Sequence, residues 1–425
     1  MYLLAGAMAL SALIVVAYVL ATRPNGLEGD QAEYHQSAIF FADGRPFWST
    51  LPFGIPHPSM AKAPGYPAWI GTVYTVVGAS PTKLGIIQGL IFAPLGVLGT
   101  WLLARRLFGD PVAAGSAFAV ALFPLVWEYY GLLYPEVLAV PLATFMFWLF
   151  LEREATTKLA VTTGAALGVA LLIRPTSIFL AAGIAAAWIV SVGFKRGAAY
   201  AVVSMVVAGL VVLPWTIRNV LTEGGGFVPI SWQDAGGLFG TFNEEAANDP
   251  VYPYGWRPFL RDQETVLDGP PVSDYEVREE LQAEAFDYIR DHPFSVAEAF
   301  YWNGLTRLWD VRRPSRAMDD APFEGRSDAV TAVGLGMYYL ALPLAIFALW
   351  RMRRRRSLVI PIVATAITAS VVFTVAATTR YRAPLEPVIA ILAVSVVAGT
   401  ARARASAPPD ERSARSQTAA VESKP

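Results

Sequence analysis

The sequence predicts an all-α polytopic membrane protein, and three observations carry that prediction. Long stretches lack charge, charged residues crowd into the connections between them, and the basic connections alternate along the chain. Of the 425 residues, 55% are hydrophobic and 16% charged, against about 25% charged in an average soluble domain. The formal net charge of -1 says little, because the two signs lie in different places. Cysteine is absent, which excludes disulfides and thiolate-ligated metals, and three histidines (His35, His57, His292) offer little for a histidine-rich metal site.

A helix needs about 20 apolar residues to cross the hydrocarbon at 1.5 Å per residue. The candidates are 2–21, 83–104, 111–128, 134–151, 159–174, 176–194, 198–216, 328–350, 357–377 and 384–400, about 10 transmembrane helices. Of these, 159–174 is short and needs tilt, local thinning or burial against neighbours. An eleventh apolar piece, 65–79, follows a proline-rich run and reads as an interfacial or re-entrant segment. The first stretch has no basic leader and no cleavage signal, so it is expected to be a retained span. Between the spans lie a loop at 22–82, which includes that eleventh piece, and a soluble segment at 217–327. The bundle 83–216 separates them, and a last group of helices occupies 328–400. The end, 401–425, is polar from Ser406 onward and is expected to be a disordered tail.

Arg105–Arg106, Arg153 with Lys158, Lys195–Arg196, Arg351 with Arg353–Arg356, and Arg402 with Arg404 fall in alternate connections. The positive-inside rule puts them in the cytoplasm, with both termini, and the expected home is a bacterial inner membrane. Polar chemistry then gathers outside.

In that first external loop, Asp30 precedes an apolar run and Glu33 follows three residues later, the spacing of a capping box. The same carboxylate, just outside the membrane, is equally placed to accept a proton from a nucleophile. Lys62 lies in the proline-rich frame GIPHPSMAKAPGYPAW, either as an anchor for an anionic head group or as a snorkelling interfacial lysine. His57, Tyr34 and Tyr66 flank these positions as supporting groups. Arg174, Arg218, Arg380 and Arg382 sit at outer span boundaries, where an arginine is costly unless paired or solvated. Pairing with Glu136 or Glu386 would satisfy them, and several together would grip a phosphate. Glu136 can pair with them or orient a substrate, and Tyr381 sits between two of the arginines. Trp127, Tyr129, Tyr130 and Tyr134 fit an interfacial aromatic belt. The triplet Gly224–Gly226 lacks the context of a phosphate loop, and nothing points to nucleic acid.

The phrases DQAEYHQSA, KAPGYPAWIG, LLIRPTS, PWTIRNVLTEGGGFVPIS and RYRAPLEPVIAIL, in that order, resemble the GT-C glycosyltransferases of the ArnT and protein-mannosyltransferase type. The resemblance implies a GT-C-like bundle that takes a sugar from a polyprenyl-phosphate donor on the external face. The acceptor would be a saccharide, lipid or protein, in cell-envelope glycan, glycolipid or glycoprotein synthesis. It further implies an inverting enzyme with Asp30 as the loop carboxylate, Glu33 beside it and Lys62 as the loop cation. Some members carry an adjacent Asp-Glu pair that this chain lacks, which leaves open whether one carboxylate acts or two. Arg174, Arg218, Arg380 and Arg382 fall at family-like phrases as donor-phosphate ligands. No organic cofactor is implied; a divalent ion would neutralise the same phosphate, though no cluster in the sequence demands one. The competing class is a transporter or flippase of lipid-linked saccharides, which also needs many spans and membrane-edge charges.

Overall fold

In the computed structural model, the described residues are 2–22, 27–51, 53–222, 224–257, 273–312 and 316–405. The polar tail after Ala405 lies outside them. The long helices are α1 (Tyr2–Thr22), α4 (Pro81–Phe108), α10 (Phe194–Leu221) and α16 (Asp328–Arg351). Shorter apolar helices are α5 (Asp110–Leu122), α6 (Pro124–Trp127), α7 (Glu136–Phe150), α8 (Thr157–Ile173), α9 (Leu180–Val192) and α17 (Arg356–Val372). The last helix, α18, is Glu386–Ala405.

Each of the ten apolar stretches becomes helical, but the expected count of ten spanning helices is not met. Among the described residues six helices are long and apolar enough to cross a membrane, or seven if a bent pair is one span. Two of the six, Pro175–Val192 and Thr379–Gly399, begin with a 3-10 turn. The bent pair arises where Phe123 is extended (φ -83, ψ 105) ahead of Pro124, so the chain turns by 68°. Helix α7 has 15 residues and α8 and α17 have 17 each, so they fall short of the roughly 30 Å hydrocarbon layer.

Local signals set these boundaries. Ser80 accepts from Lys83 N at 3.3 Å to cap α4, which Pro81 opens, and Gly109 at φ 85 closes it. Thr156 caps α8 through Leu159 N at 3.2 Å. Helices α8 and α10 meet through small residues: a Cβ on Gly164 would lie 2.4 Å from Ser204 O. Ser204 Oγ donates to Ala160 O at 3.0 Å and receives Trp188 Nε1 at 3.2 Å, tying three helices together.

The bundle has two chemically distinct ends. At one, Arg355 pairs with Glu152 and donates to Leu107 O at 2.9 Å. Arg106 and Arg153 both stack over Trp148 there, and Ala155 N reaches Ser191 Oγ at 3.0 Å. The basic connections therefore converge, as their alternation requires. The start of α1 packs against Trp101 and Phe118 at this end, and Gly399 of α18 comes close to Arg351.

At the other end, α2 (Gly29–Ala42) and α3 (Gly65–Val77) lie against each other, with a short antiparallel pair, β1 (Trp48–Ser49) and β2 (His57–Pro58), between them in sequence. The apolar piece expected at 65–79 is thus a 13-residue helix. Over this end sits a lobe built from α11 (Gln233–Thr241), α12 (Glu244–Ala247), α13 (Asp274–Asp291) and α14 (Ser295–Ala299). A π-helix, Phe300–Arg307, follows α14 and places Asn303 to donate to Tyr254 O and Thr374 O, both at 2.8 Å. Met60 and Ala61, just before Lys62, share a small core with Val228, Trp232, Val277 and Leu281 of the lobe. Helix α15 (Arg316–Phe323) leads back into α16.

The close approach at Gly164 yields a measurable outcome. Gly164→Leu drives its side chain into the Ser204 backbone and lowers stability by about 1–3 kcal/mol or more. Thermal unfolding in detergent is expected to show a clear drop in Tm, and Tm equal to wild type would mean α8 and α10 do not pack this way.

A candidate active site at one end of the bundle

Asp30 lies in the first turn of α2, but it does not cap the helix as its spacing predicts. The capping position falls on Glu28, which makes no side-chain cap bond. The Asp30 carboxylate points across to other elements. Its Oδ1 receives Lys62 Nζ at 3.1 Å, and its Oδ2 receives Arg380 Nη2 at 2.8 Å. Lys62 also meets Glu33 Oε2 at 2.5 Å, one helical turn further along α2.

Arg380 comes from the 3-10 turn Thr379–Leu385, and its Nε lies 3.2 Å from Glu136 Oε1. Arg174, in extended conformation between α8 and the next 3-10 turn, pairs with that same Glu136 oxygen and donates from Nε to Thr176 Oγ1 at 3.0 Å. Five separate stretches of chain thus form one network, Glu33–Lys62–Asp30–Arg380–Glu136–Arg174. Three cations face three carboxylates, so the cluster is neutral.

Aromatic rings hold the cations in place. Lys62 lies over Tyr34 at 5.0 Å, Arg380 over Tyr134 at 4.2 Å and Arg174 over Tyr381 at 4.2 Å. Tyr66 packs edge-on to Tyr34, 5.0 Å between centroids. Exposure divides the carboxylates by role. Asp30 and Glu33 keep 32% and 31% of their side-chain surface, whereas Glu136 is wholly buried. The first two are open to solvent. Glu136 Oε2 has no hydrogen-bond partner among the described residues.

Electrostatics follow from this arrangement. Burial works to raise the Asp30 pKa, but Lys62 and Arg380 outweigh it and hold the carboxyl well below the usual carboxylate range. For Lys62 burial works downward, and Asp30 and Glu33 overcome it to push the ammonium pKa up. Both groups are therefore fully charged near neutrality.

Three of the residues singled out in the sequence are placed elsewhere. Arg218 donates to Ser59 O at 2.8 Å and stacks on Trp215 at 4.8 Å. Arg382 is fully buried, bonding Glu386 at 2.5 Å and Leu308 O at 2.9 Å, with Tyr338 3.6 Å beneath it. His57 Nε2 bonds Asp274 Oδ1 at 2.9 Å at the start of α13. Asp274 Oδ2 also receives Ser59 Oγ at 2.9 Å and Met60 N at 2.7 Å, so this buried carboxylate fastens the lobe to the strip that carries Lys62. The expected belt of Trp127, Tyr129, Tyr130 and Tyr134 does not face lipid; all four are buried in protein. Among the described residues no three His, Asp or Glu side chains converge as a metal site.

With the geometry in view, comparison with known proteins places the fold. The helical bundle has the same fold as the membrane portion of solved oligosaccharyltransferases. The family described as dolichyl-phosphate-mannose-protein mannosyltransferase matches over residues 61–217, a stretch that holds Lys62, Glu136 and Arg174. No curated protein sequence matches the chain. The archaeal oligosaccharyltransferase AglB from Archaeoglobus fulgidus, solved with an inhibitory peptide and a dolichol-phosphate, superposes with a TM-score of 0.53 at 15% identity. That match covers 93% of this chain and 50% of AglB, so the chain spans half the length of its relative. The Archaeoglobus fulgidus oligosaccharyltransferase tethered to an acceptor peptide with an NVT sequon gives 0.53 at 17% identity, with the same 93% and 50% coverage. ArnT from Cupriavidus metallidurans bound to undecaprenyl phosphate gives 0.43 at 15% identity, covering 92% of this chain and 77% of ArnT.

The His57–Asp274 bond makes lobe docking depend on pH. Burial works to lower the His57 pKa, but bonding to Asp274 and Ile55 O raises it above the usual imidazole value. A raised folded-state pKa stabilises fully below about 6.5 and loses that contribution as pH rises through the folded value. Protease sensitivity of the lobe is expected to increase across that rise, and His57→Ala to flatten the dependence. A pH response that survives in His57→Ala would assign it to another group.

Proposed function

We propose that this protein is an inverting membrane glycosyltransferase. It takes a sugar from a polyprenyl-phosphate donor and passes it to an acceptor hydroxyl at the outer surface of a plasma membrane. The observation that carries the reading is Asp30, a reachable carboxylate held between Lys62 and Arg380 at the end of the bundle opposite the basic connections. The positive-inside rule puts that end outside.

In the proposed reaction the acceptor oxygen attacks the anomeric carbon opposite the phosphate. A new carbon–oxygen bond forms as the carbon–phosphate-oxygen bond breaks. The acceptor proton passes to Asp30, and the electron pair leaves with polyprenyl phosphate. Lys62 and Arg380, with Arg174 behind them, stabilise the charge that gathers on the leaving group. No ATP is needed, because the donor is already activated.

Charge balance adds a condition. While Asp30 holds both cations, it is a weak base. A donor phosphate that draws Lys62 and Arg380 toward itself loosens Asp30 and restores its basicity. The base is thereby switched on by the donor.

Purified protein in lipid vesicles, given polyprenyl-phosphate sugars and candidate acceptors, tests the reading. Asp30→Asn is expected to cut kcat by about 10²–10⁴-fold, the usual weight of a general base, with membrane insertion intact. Transfer at the wild-type rate would remove Asp30 from the chemistry, and movement of the lipid across the bilayer without covalent transfer would establish a transporter. Lys62→Ala is expected to raise KM for the donor more than it lowers kcat; an unchanged donor dependence would leave Lys62 only a structural partner of Asp30 and Glu33.

A further inference from the structure

Gln31 follows Asp30 in α2 and is buried, and its amide joins two other elements. Nε2 donates to Glu324 O at 3.1 Å, and Oε1 receives Leu133 N at 3.0 Å. The same Glu324 carbonyl accepts the Tyr134 hydroxyl at 3.2 Å. Tyr134 is the ring on which Arg380 rests. One backbone oxygen thus fastens both the helix that carries Asp30 and the platform that carries its cationic partner.

The turn presenting that oxygen is itself clamped. Arg326 pairs with Glu324 at 2.8 Å, donates to Ala317 O at 3.1 Å and reaches Thr331 Oγ1 at 3.2 Å. Ser327 N donates to Glu128 Oε1 at 2.9 Å, and Tyr18 OH donates to the same oxygen at 2.9 Å, which ties the turn to α1 and the broken span. Gly325 at φ +69 lets the turn pass close to Gln31: a Cβ there would lie 2.6 Å from Gln31 Nε2. No bond from this turn reaches the Asp30 carboxylate itself. A buried amide hydrogen-bonded through both its nitrogen and its oxygen, bridging three elements beside an ion pair, fixes separations more tightly than apolar packing does.

We propose that Gln31 and the turn Glu324–Ser327 form a positioning device that sets Asp30 against Arg380. This rests on Asp30 being the proton acceptor in glycosyl transfer. Gln31 is a positioning residue: it acts through where α2 and Tyr134 stand. A displacement of about 1 Å at such a site costs on the order of 10²-fold in rate, so the bridge controls kcat far more than donor binding.

The transfer assay tests this with Gln31→Ala, Gln31→Glu and Gly325→Ala, alongside wild type, Asp30→Asn and Ile184→Ala. Ile184 is a core residue of α9, and its truncation reports what loss of stability alone does. Gln31→Ala and Gly325→Ala are expected to lose about tenfold or more in kcat, with donor KM within about twofold and a deficit larger than that of Ile184→Ala at matched Tm loss. In Gln31→Glu the carboxylate still accepts from Leu133 N but can donate to Glu324 O only when protonated. Its rate relative to wild type is therefore expected to recover as pH falls. If Gln31→Ala does not fold, Gln31→Glu and Gly325→Ala carry the test. Wild-type transfer that survives Asp30→Asn would overturn the parent reading and this inference with it. Where Asp30→Asn is inactive, wild-type kcat in Gln31→Ala, or a deficit no greater than that of Ile184→Ala, would overturn the inference alone.

Discussion

Everything at the site end depends on the charge network that runs from Glu33 through Lys62, Asp30, Arg380 and Glu136 to Arg174. Its members come from α2, the proline-rich strip, α7, the end of α8 and the turn before α18. At its buried end, removing one partner of the Glu136–Arg174 pair leaves a charge in a low-dielectric setting at a cost on the order of 3–5 kcal/mol. The network therefore demands that distant parts of the chain arrive together. The bundle, the lobe and the Glu324 turn can each be understood as meeting that demand.

Neutrality also constrains chemistry. A phosphate brought to three cations already matched by three carboxylates gains little unless some of those pairs give way. The pairs at Asp30 and Glu33 are the accessible ones, while Glu136 is sealed beneath them. Rearrangement should begin at the exposed edge. In the proposed reaction Arg174 and Glu136 would stay as a fixed floor, and the ring of Tyr134 would keep Arg380 in range when Asp30 lets go.

Much of this was legible in the sequence, and the misses have physical causes. Uncharged stretches marked every apolar helix, because lipid or protein burial imposes the same composition wherever it occurs. Composition does not report where a helix stops, so α7, α8 and α17 were read as spans although they are short. The basic connections, put on one side by their alternation, do meet at one end, where Arg355 pairs with Glu152. Asp30, Glu33, Lys62, Glu136, Arg174 and Arg380 were each visible as charges at outer boundaries, where an isolated charge is expensive. Gln31 and Glu324 were not visible. A glutamine in an amphipathic stretch and a backbone carbonyl carry no signature until tertiary structure brings them together. Asp274 was hidden in another way, since it stands inside a capping box led by Ser273 and Glu276 and looked like ordinary helix-start acid.

Arg380 and Arg382 show why boundary arginines cannot be treated alike. They are two residues apart in one 3-10 turn, and sequence offers no means of ranking them. Arg382 pairs with Glu386 only four residues away, and Tyr338 and Leu308 O close its surroundings completely. A pair so local and so buried cannot be opened by a ligand without exposing two charges to an apolar interior. It serves to fix the turn at the head of α18. Arg380, by contrast, reaches a carboxylate 350 positions away that keeps a third of its surface open. That pair can be opened at far smaller cost, because water already has access to the carboxylate. The same turn therefore supplies one arginine that holds the architecture and one whose proposed role in chemistry asks only an accessible pair to open, and the reach of each ion pair along the chain distinguishes them.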